Sequence, residues 1–358
     1  MTRPRRSGSA APPVLVEVTR GSRVESVHRG SIVVAAPDGS TVASVGDPET
    51  FVFWRSSAKP FQLAPFVASE RFDEYELGPE ALAIMAASHS GEDRHVRLVQ
   101  EILRRAGLTS AVLHNQVHAP YDAETARRLI RDGEAPTVLR GNCSGKHAGM
   151  VLFAKASGWP IDGYWEAGHP VQRMALETIS ALSDVPIEEI ETAVDGCGVV
   201  TFGTPLRGLA LAFARLADPS AVADPPLRAA LVRIRDAMMA HPELVAGTSR
   251  RIDTAIMRAF PARVVCKGGA EGVLGMGLPP GALPSGSPFA DGPLGLASKI
   301  EDGNSARRAG DVVSVEILRQ VGLARDPLSR NLDDLAASPI VDPRGEIAGE
   351  VRSAFRLA

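Results

Sequence analysis

Lysine is scarce in this chain. Lys59, Lys146, Lys155, Lys267 and Lys299 are the complete set, although Lys and Arg together number 39 in 358 residues. Nearly every positive charge is therefore a guanidinium, and each position that keeps an amine asks for a reason. Aromatic residues are also few, at 5%, which argues against base-stacking platforms for single-stranded nucleic acid. A large excess of charge of one sign is missing too. A net charge of −3 with no basic stripe argues against a nucleic-acid partner. No apolar run approaches the roughly 18 residues of a membrane helix. Three cysteines, Cys143, Cys197 and Cys266, make an odd number without framework spacing, as expected in a reducing cytoplasm.

What remains is the composition of an ordinary globule, with 44% hydrophobic and 23% charged residues. The start, "MTRPRRSGSAAPP", is basic and rich in small residues, with no apolar stretch behind it. Residues 1–13 read as a disordered tail and residues 14–358 as one catalytic domain. Strands are expected at 14–19 and 31–45, the second run split into a hairpin by Pro37-Asp38-Gly39. Further strands are expected at 262–267, 272–278 and 294–302, with a last one near the end. Helical patterns fill 79–87, 95–106, 123–131, 145–157, 169–183, 206–217, 225–240 and 248–260. Asn304 is placed to cap another helix, running to about Gly322. The order implies an α/β (α+β) fold: an antiparallel sheet built from the N- and C-terminal segments, flanking helices, and an inserted helical region at about 60–260.

The stretch "FVFWRSSAKPFQLAPF" holds one of the rare lysines. Pro60 belongs in a first helical turn, so the helix should start near Ser56 or Ser57, and Ser56 and Lys59 share a face. Helix-end potential and burial both lower the pKa of such a lysine. A neutral amine can accept a serine proton, and arginine cannot. Ser-x-x-Lys alone is a frequent chance pattern. Two more elements follow it: "AASHSGE", which presents Ser88, His89 and Ser90, and "CKGGAEG", which sets Lys267 before Gly268-Gly269. Those glycines allow a ligand to approach the backbone. The series S-x-x-K, S-x-S, K-G-G resembles the three-part signature of serine β-lactamases and penicillin-binding proteins. Ser in place of Asn in the second element and Gly in place of Thr in the third speak against their substrates.

Longer motifs point elsewhere. "RGNCSGKHAGM", "DGCGV", "VVCKGGAEGV", "VESVHRG" and "RSSAKP" together resemble the Rhizobium-type bacterial L-asparaginase II family, over about residues 14–356. The resemblance implies hydrolysis of the side-chain amide of L-asparagine, a serine β-lactamase-like fold, and a homodimer. It implies one Ser–Lys pair at Ser56 and Lys59 and another at Ser88 and Lys267. Arg55, Asn142, His147 and Asp195 fall on pocket-lining positions, and Cys143, Lys146 and Cys197 on those of a zinc site beside the catalytic centre. Thiolates suit zinc, whereas the plain reading of two cysteines is small buried hydrophobes. Cys266 alternates with Lys267 on a strand and so belongs to the core. His28, His114 and His118 read as surface or loop residues. Two alternatives stand beside the amidase reading: another serine amidase or esterase of the β-lactamase class, and a non-catalytic amino-acid-binding homologue.

Overall fold

The computed structural model describes residues 11–289, 292–303, 309–336 and 338–358. Asn304 and the first ten residues of the expected tail lie outside the described residues. The end of that tail is tied down: Arg29 Nη1 donates to Pro12 O at 2.9 Å and Gly30 N to Pro13 O at 3.1 Å.

The strands are β1 (Val14–Arg20), β2 (Arg23–Ala35), β3 (Thr41–Val45), β4 (Phe51–Phe53), β5 (Glu191–Val194), β6 (Val200–Pro205), β7 (Val265–Gly268), β8 (Val273–Leu278), β9 (Leu294–Ile300), β10 (Ser338–Val341) and β11 (Ile347–Ser353). The helices are α1 (Lys59–Ala68), α2 (Pro79–Met85), α3 (Asp93–Arg105), α4 (Ala123–Asp132), α5 (Ser144–Ala156), α6 (Pro170–Ser183), α7 (Leu206–Ala217), α8 (Pro225–Ala240), α9 (Pro242–Val245), α10 (Ile252–Ala259), α11 (Gly310–Gln320) and α12 (Arg330–Asp333).

The main sheet runs β10-β11-β1-β2-β9-β8-β7, with β3 also on β2, and its pairs are antiparallel. It is assembled from the two ends of the chain, as the element order implied. The hairpin at Pro37-Asp38-Gly39 forms as expected, because β2 pairs Ile32 with Val45 and Val34 with Ala43. Helix α7 lies against β8 and β9 at backbone distance. A Cβ at Gly275 would strike the Phe213 ring, and one at Gly295 would strike Ala210 O and Ala214 N. Glycine at both positions is what lets the layers meet this closely.

A second sheet, β4-β6-β5, takes two of its strands, β5 and β6, from the region expected to be helical. It positions the site. Phe51–Phe53 pairs with Gly203–Pro205, Trp54 N donates to Phe202 O at 2.8 Å, and Trp54 Nε1 donates to Thr204 Oγ1 at 2.7 Å. The chain leaves this anchor directly into Arg55–Ala58, a 3₁₀ turn that feeds α1. Helix α1 thus begins at Lys59, later than the Ser56 or Ser57 expected, with Pro60 still in its first turn. The expected helix at 248–260 is shorter, Ile252–Ala259, because Arg250 adopts a left-handed backbone with φ of 57° that a helix cannot include. Among the described residues no helix is long and apolar enough to cross a membrane.

Candidate active site

Four segments meet around Lys59: the Arg55–Ala58 turn, the loop at 86–92, the start of α5, and the loop between β5 and β6. Lys59 is 1% exposed. Its Nζ donates to Ala87 O at 2.6 Å, Ser88 Oγ at 2.7 Å and Cys143 Sγ at 3.2 Å. Its pKa is lowered, chiefly by burial and further by Lys146, against the opposing pull of Cys143 and Cys197. In the neutral form the amine presents a lone pair to hydroxyl and thiol protons. Ser88 is held by its own backbone: its N–H donates to Val245 O at 2.9 Å, and its carbonyl accepts from Arg251 Nη2 at 2.9 Å.

The pairing differs from the expected one. Lys59 contacts Ser88, and Ser56 Oγ is not among the hydrogen-bond partners found for its amine. Because α1 starts only at Lys59, Ser56 sits on the tighter 3₁₀ turn that precedes it. Ser56 is half-buried, whereas Ser88 is 5% exposed. Nor does Lys267 pair with Ser88. Lys267 is 0% exposed, and its Nζ donates to Gly268 O at 2.7 Å and lies 3.6 Å from Asp253 Oδ1. Its pKa falls to about 8: burial lowers it most, Asp253 raises it, and Lys59 and Arg251 lower it further.

Ser57, not Ser56, ties the turn to β7, with its Oγ donating to Lys267 O at 3.0 Å. Here the two glycines act differently from the expectation of a ligand approach. A Cβ at Gly269 would come within 2.9 Å of Trp54 O and 3.1 Å of Ser57 Oγ, so the residue that approaches is the chain's own turn. Both N–H groups are also engaged, Gly268 N with Asp253 Oδ1 and Gly269 N with Val273 O.

Cys143 and Cys197 come together with Lys146. Cys143 occupies the N-cap position of α5 without a side-chain capping bond, and Lys146 Nζ donates to Cys197 Sγ at 2.9 Å. The Cys143 thiol is pushed well below its ordinary value, first by a hydrogen bond from Cys197 and then by Lys59 and Lys146, against burial. Cys197 is raised by that same bond and by burial. Burial would lower Lys146, but Cys197, Cys143 and Asp195 outweigh it, and the net shift is upward. Among the described residues no group of three or more His, Cys, Asp or Glu is arranged to hold a metal ion. The donors that converge are two sulfurs and an amine, with His147 Nε2 buried and without a hydrogen-bond partner. Two soft sulfurs, one already biased to thiolate, fit zinc, provided that Lys146 gives up its proton. Cys266 is 0% exposed, and burial pushes its thiol well up, as a core residue requires.

At the rim, Arg55 adopts a left-handed backbone with φ of 49°. Its Nε donates to Asp195 Oδ1 at 2.6 Å, and its Nη1 lies 3.9 Å from Glu271 Oε1. Asp195 also accepts from Gly196 N, and its pKa is lowered because Lys146 and Arg55 outweigh burial. Asn142 Oδ1 contacts Gln116 Nε2 at 3.1 Å and His118 Nε2 at 3.2 Å. His118 is therefore a neighbour of the pocket and not a bystander. His28 is likewise buried, with Nδ1 at 2.7 Å from Asp302. His147 Nδ1 meets Tyr164 Oη at 2.5 Å. Burial takes the His147 pKa down to about 4, and Lys146 adds to this against the opposing influence of the neighbouring Cys197. Sequence reasoning missed Asp253, Arg251, Gln116 and Tyr164, which belong to no motif and reach the site only through folding, and Glu271, which lies within the VVCKGGAEGV motif but was not singled out.

A sequence model of the family described as L-asparaginase II matches residues 16–353. No curated protein matches the chain. Among solved structures, it is similar to a Bacillus glutaminase with 13% identity, TM-score 0.39, and coverage of 82% of this chain and 91% of that one. It is also similar to a β-lactamase from Mycobacterium bovis (12% identity, TM-score 0.41, 82% and 95% covered). A β-lactamase from Sphaerobacter thermophilus is comparable (14% identity, TM-score 0.38, 84% and 94% covered).

Proposed function

The chain belongs to the L-asparaginase II family, and on that premise we propose that it hydrolyses the side-chain amide of L-asparagine to L-aspartate and ammonia through a serine acyl-enzyme. Family membership supports an amidohydrolase. The observation that carries the finer reading is Lys59, a buried amine with lowered pKa whose Nζ lies 2.7 Å from Ser88 Oγ.

In the proposed path Ser56, the more accessible serine on the turn that opens α1, attacks the amide carbon. Its proton passes to Lys59 through the Ser88 hydroxyl, and Lys267 supplies the proton that lets ammonia depart. First-turn N–H groups at Ser56 receive the oxyanion, since those of Gly268 and Gly269 are engaged. Water then opens the ester. Asp195 and Arg55, already paired with each other, are the partners for the α-amino and α-carboxylate groups. Asn142 and His147 complete the pocket wall. The short Lys59–Ser88 contact favours a second reading, in which Ser88 is the nucleophile.

Zinc belongs to the same proposal. Cys143, Lys146 and Cys197 would hold it, and it would keep the sulfurs as thiolates and orient the neighbouring Asn142 and His147. One catalytic domain over residues 14–358, a homodimer and a cytoplasmic setting complete the reading. Three free cysteines suit a reducing compartment.

The test is ammonia release from asparagine, glutamine and a simple ester, with mass spectrometry of the trapped acyl-enzyme. Ammonia from asparagine and an adduct on Ser56 are expected. An adduct on Ser88 selects the second reading, and tight asparagine binding without turnover would overturn the hydrolase.

A further inference from the structure

Asp253 lies in none of the sequence motifs, yet it is among the most buried carboxylates near the site, at 2% exposure. It occupies the first turn of α10. Gly268 N donates to its Oδ1, and Lys267 Nζ lies 3.6 Å from the same oxygen. A carboxylate this deep is costly unless paired and hydrogen-bonded. Here the cation, the N–H and the positive end of α10 all stabilise the ionised form, and its pKa is lowered: burial opposes, but Lys267, Arg251 and the Gly268 N–H prevail.

Arg251, two residues earlier, reaches the other way. Its Nη2 donates to Ser88 O at 2.9 Å and its Nη1 to Ser90 Oγ at 3.2 Å, while Nη2 also lies 3.9 Å from Asp253 Oδ2. The segment 251–253 therefore touches both the Ser88 turn and the Lys267 strand. Lys59 has a different set of partners: a carbonyl, a hydroxyl and a thiol, with no carboxylate among its hydrogen bonds.

We propose that Asp253 is a positioning residue that fixes Lys267 as an ammonium, so that the site's two buried lysines divide the work: Lys59 as base, Lys267 as cation and proton donor. This rests on the amidohydrolase reading above. In acylation the serine O–H bond breaks, its oxygen bonds to the amide carbon, and the proton goes to Lys59. The C–N bond then breaks, its electron pair leaves with nitrogen, and Lys267 donates the proton that completes ammonia. The ammonium formed at Lys59 re-protonates Lys267. The net transfer is one proton from serine to ammonia, and both lysines return to their starting states.

The groups that act on Lys267 are Asp253 and Cys266, which raise its pKa, and Lys59 and Arg251, which lower it along with burial. With a pKa of about 8, Lys267 is protonated below that pH and loses its proton as pH rises through it. A reaction that needs the cation therefore has an alkaline limb there. Asp253→Asn removes the upward push, so the limb moves to lower pH, by about one unit or more for an opposite charge at this range.

Two measurements test this. The chain's five lysines make ¹³C-lysine NMR tractable, with Lys267 assigned from Lys267→Met. Its midpoint should fall by about one unit or more in Asp253→Asn, and stay near the wild-type value in Asp253→Glu, which keeps the charge. The pH profile of ammonia release should shift by the same amount and in the same direction. An unmoved Lys267 midpoint in folded Asp253→Asn overturns the proposal. So does a rate in that variant that rises at neutral pH, which would make Lys267 a base. A uniform loss of rate with an unmoved limb overturns it as well, since Asp253 would then be merely structural. If the wild type releases no ammonia from any amide, the functional reading falls by itself, and the lysine titration still decides whether Asp253 holds the proton on Lys267.

Discussion

Lys59 and Lys267 are buried to the same depth, 1% and 0% exposed, and burial is the largest influence on each. Their partners differ in kind. Lys59, on α1, faces a hydroxyl, a carbonyl and a thiol. Lys267, on β7, faces a carboxylate. Desolvation gives every buried amine the same push toward neutrality, so burial alone cannot assign a role. The neighbour does, and it can differ between two identical side chains in one site.

The harshest way to break this comparison is to remove the amine or the proposed nucleophile on the Lys59 side. Ser56→Ala and Lys59→Met should each lower kcat by about 10³-fold or more, and the double variant should be little worse than either, because the groups act as a unit. Steady-state ammonia release measures this, and near-wild-type turnover in Ser56→Ala would move the nucleophile to Ser88.

Arginine substitution sharpens the contrast. Arginine keeps the charge and cannot deprotonate. Lys59→Arg should abolish turnover in a folded protein, whereas Lys267→Arg keeps the cation but cannot give up the proton that ammonia needs. Lys267→Arg should therefore lose amide hydrolysis yet retain at least about tenfold more activity than Lys59→Arg toward an ester with a good leaving group, the factor that one pKa unit represents. Equal losses toward that ester in two folded variants would erase the division between the lysines.

The cysteines extend the comparison to sulfur. Cys143 and Cys197 face amines, and Cys266 faces only the core. Wild-type protein should carry close to one zinc per chain, Cys143→Ala and Cys197→Ala should each lose it, and Cys266→Ala should keep it. Occupancy should also fall as pH drops, since the ligands must be deprotonated. Elemental analysis across the three variants decides, and a zinc-free wild type would return both thiols to packing. The smallest effect belongs to Gly269→Ala, whose methyl would press on Trp54 O and Ser57 Oγ. A stability loss of about 1–3 kcal/mol is expected in chemical denaturation, with the Lys59 side of the site left in place.

Much of the architecture was legible because its signals are local. The hairpin after β2 is written in Pro37-Asp38-Gly39, and the helices from α2 to α8 follow apolar periodicity closely enough to be placed within a few residues. The sheet β4-β6-β5 was not legible. Its strands are short, β5 is exposed throughout, and β4 finds its partner about 150 residues away, as in the Trp54–Thr204 bond. Which serine meets which lysine is a question of the same kind. Motif order names Ser56, Lys59, Ser88 and Lys267, but only the late start of α1 puts Lys59 against Ser88. Asp253 left no trace, since an acidic residue at the start of a helix is ordinary until β7 is brought alongside.

The glycine contacts between α7 and the main sheet have a consequence for how the protein opens. Where Gly277 and Gly295 bring strand backbone against Phe213 O, Ala210 O and Ala214 N of α7, no side chain can swing aside to admit water. The amides of β8 and β9 should then exchange with solvent only when the whole molecule unfolds. Those of the Ser88 loop, held by single bonds to neighbouring segments, can open on their own. Deuterium uptake should therefore divide the site into a slow wall, with β8 directly behind β7, and a faster one across from it.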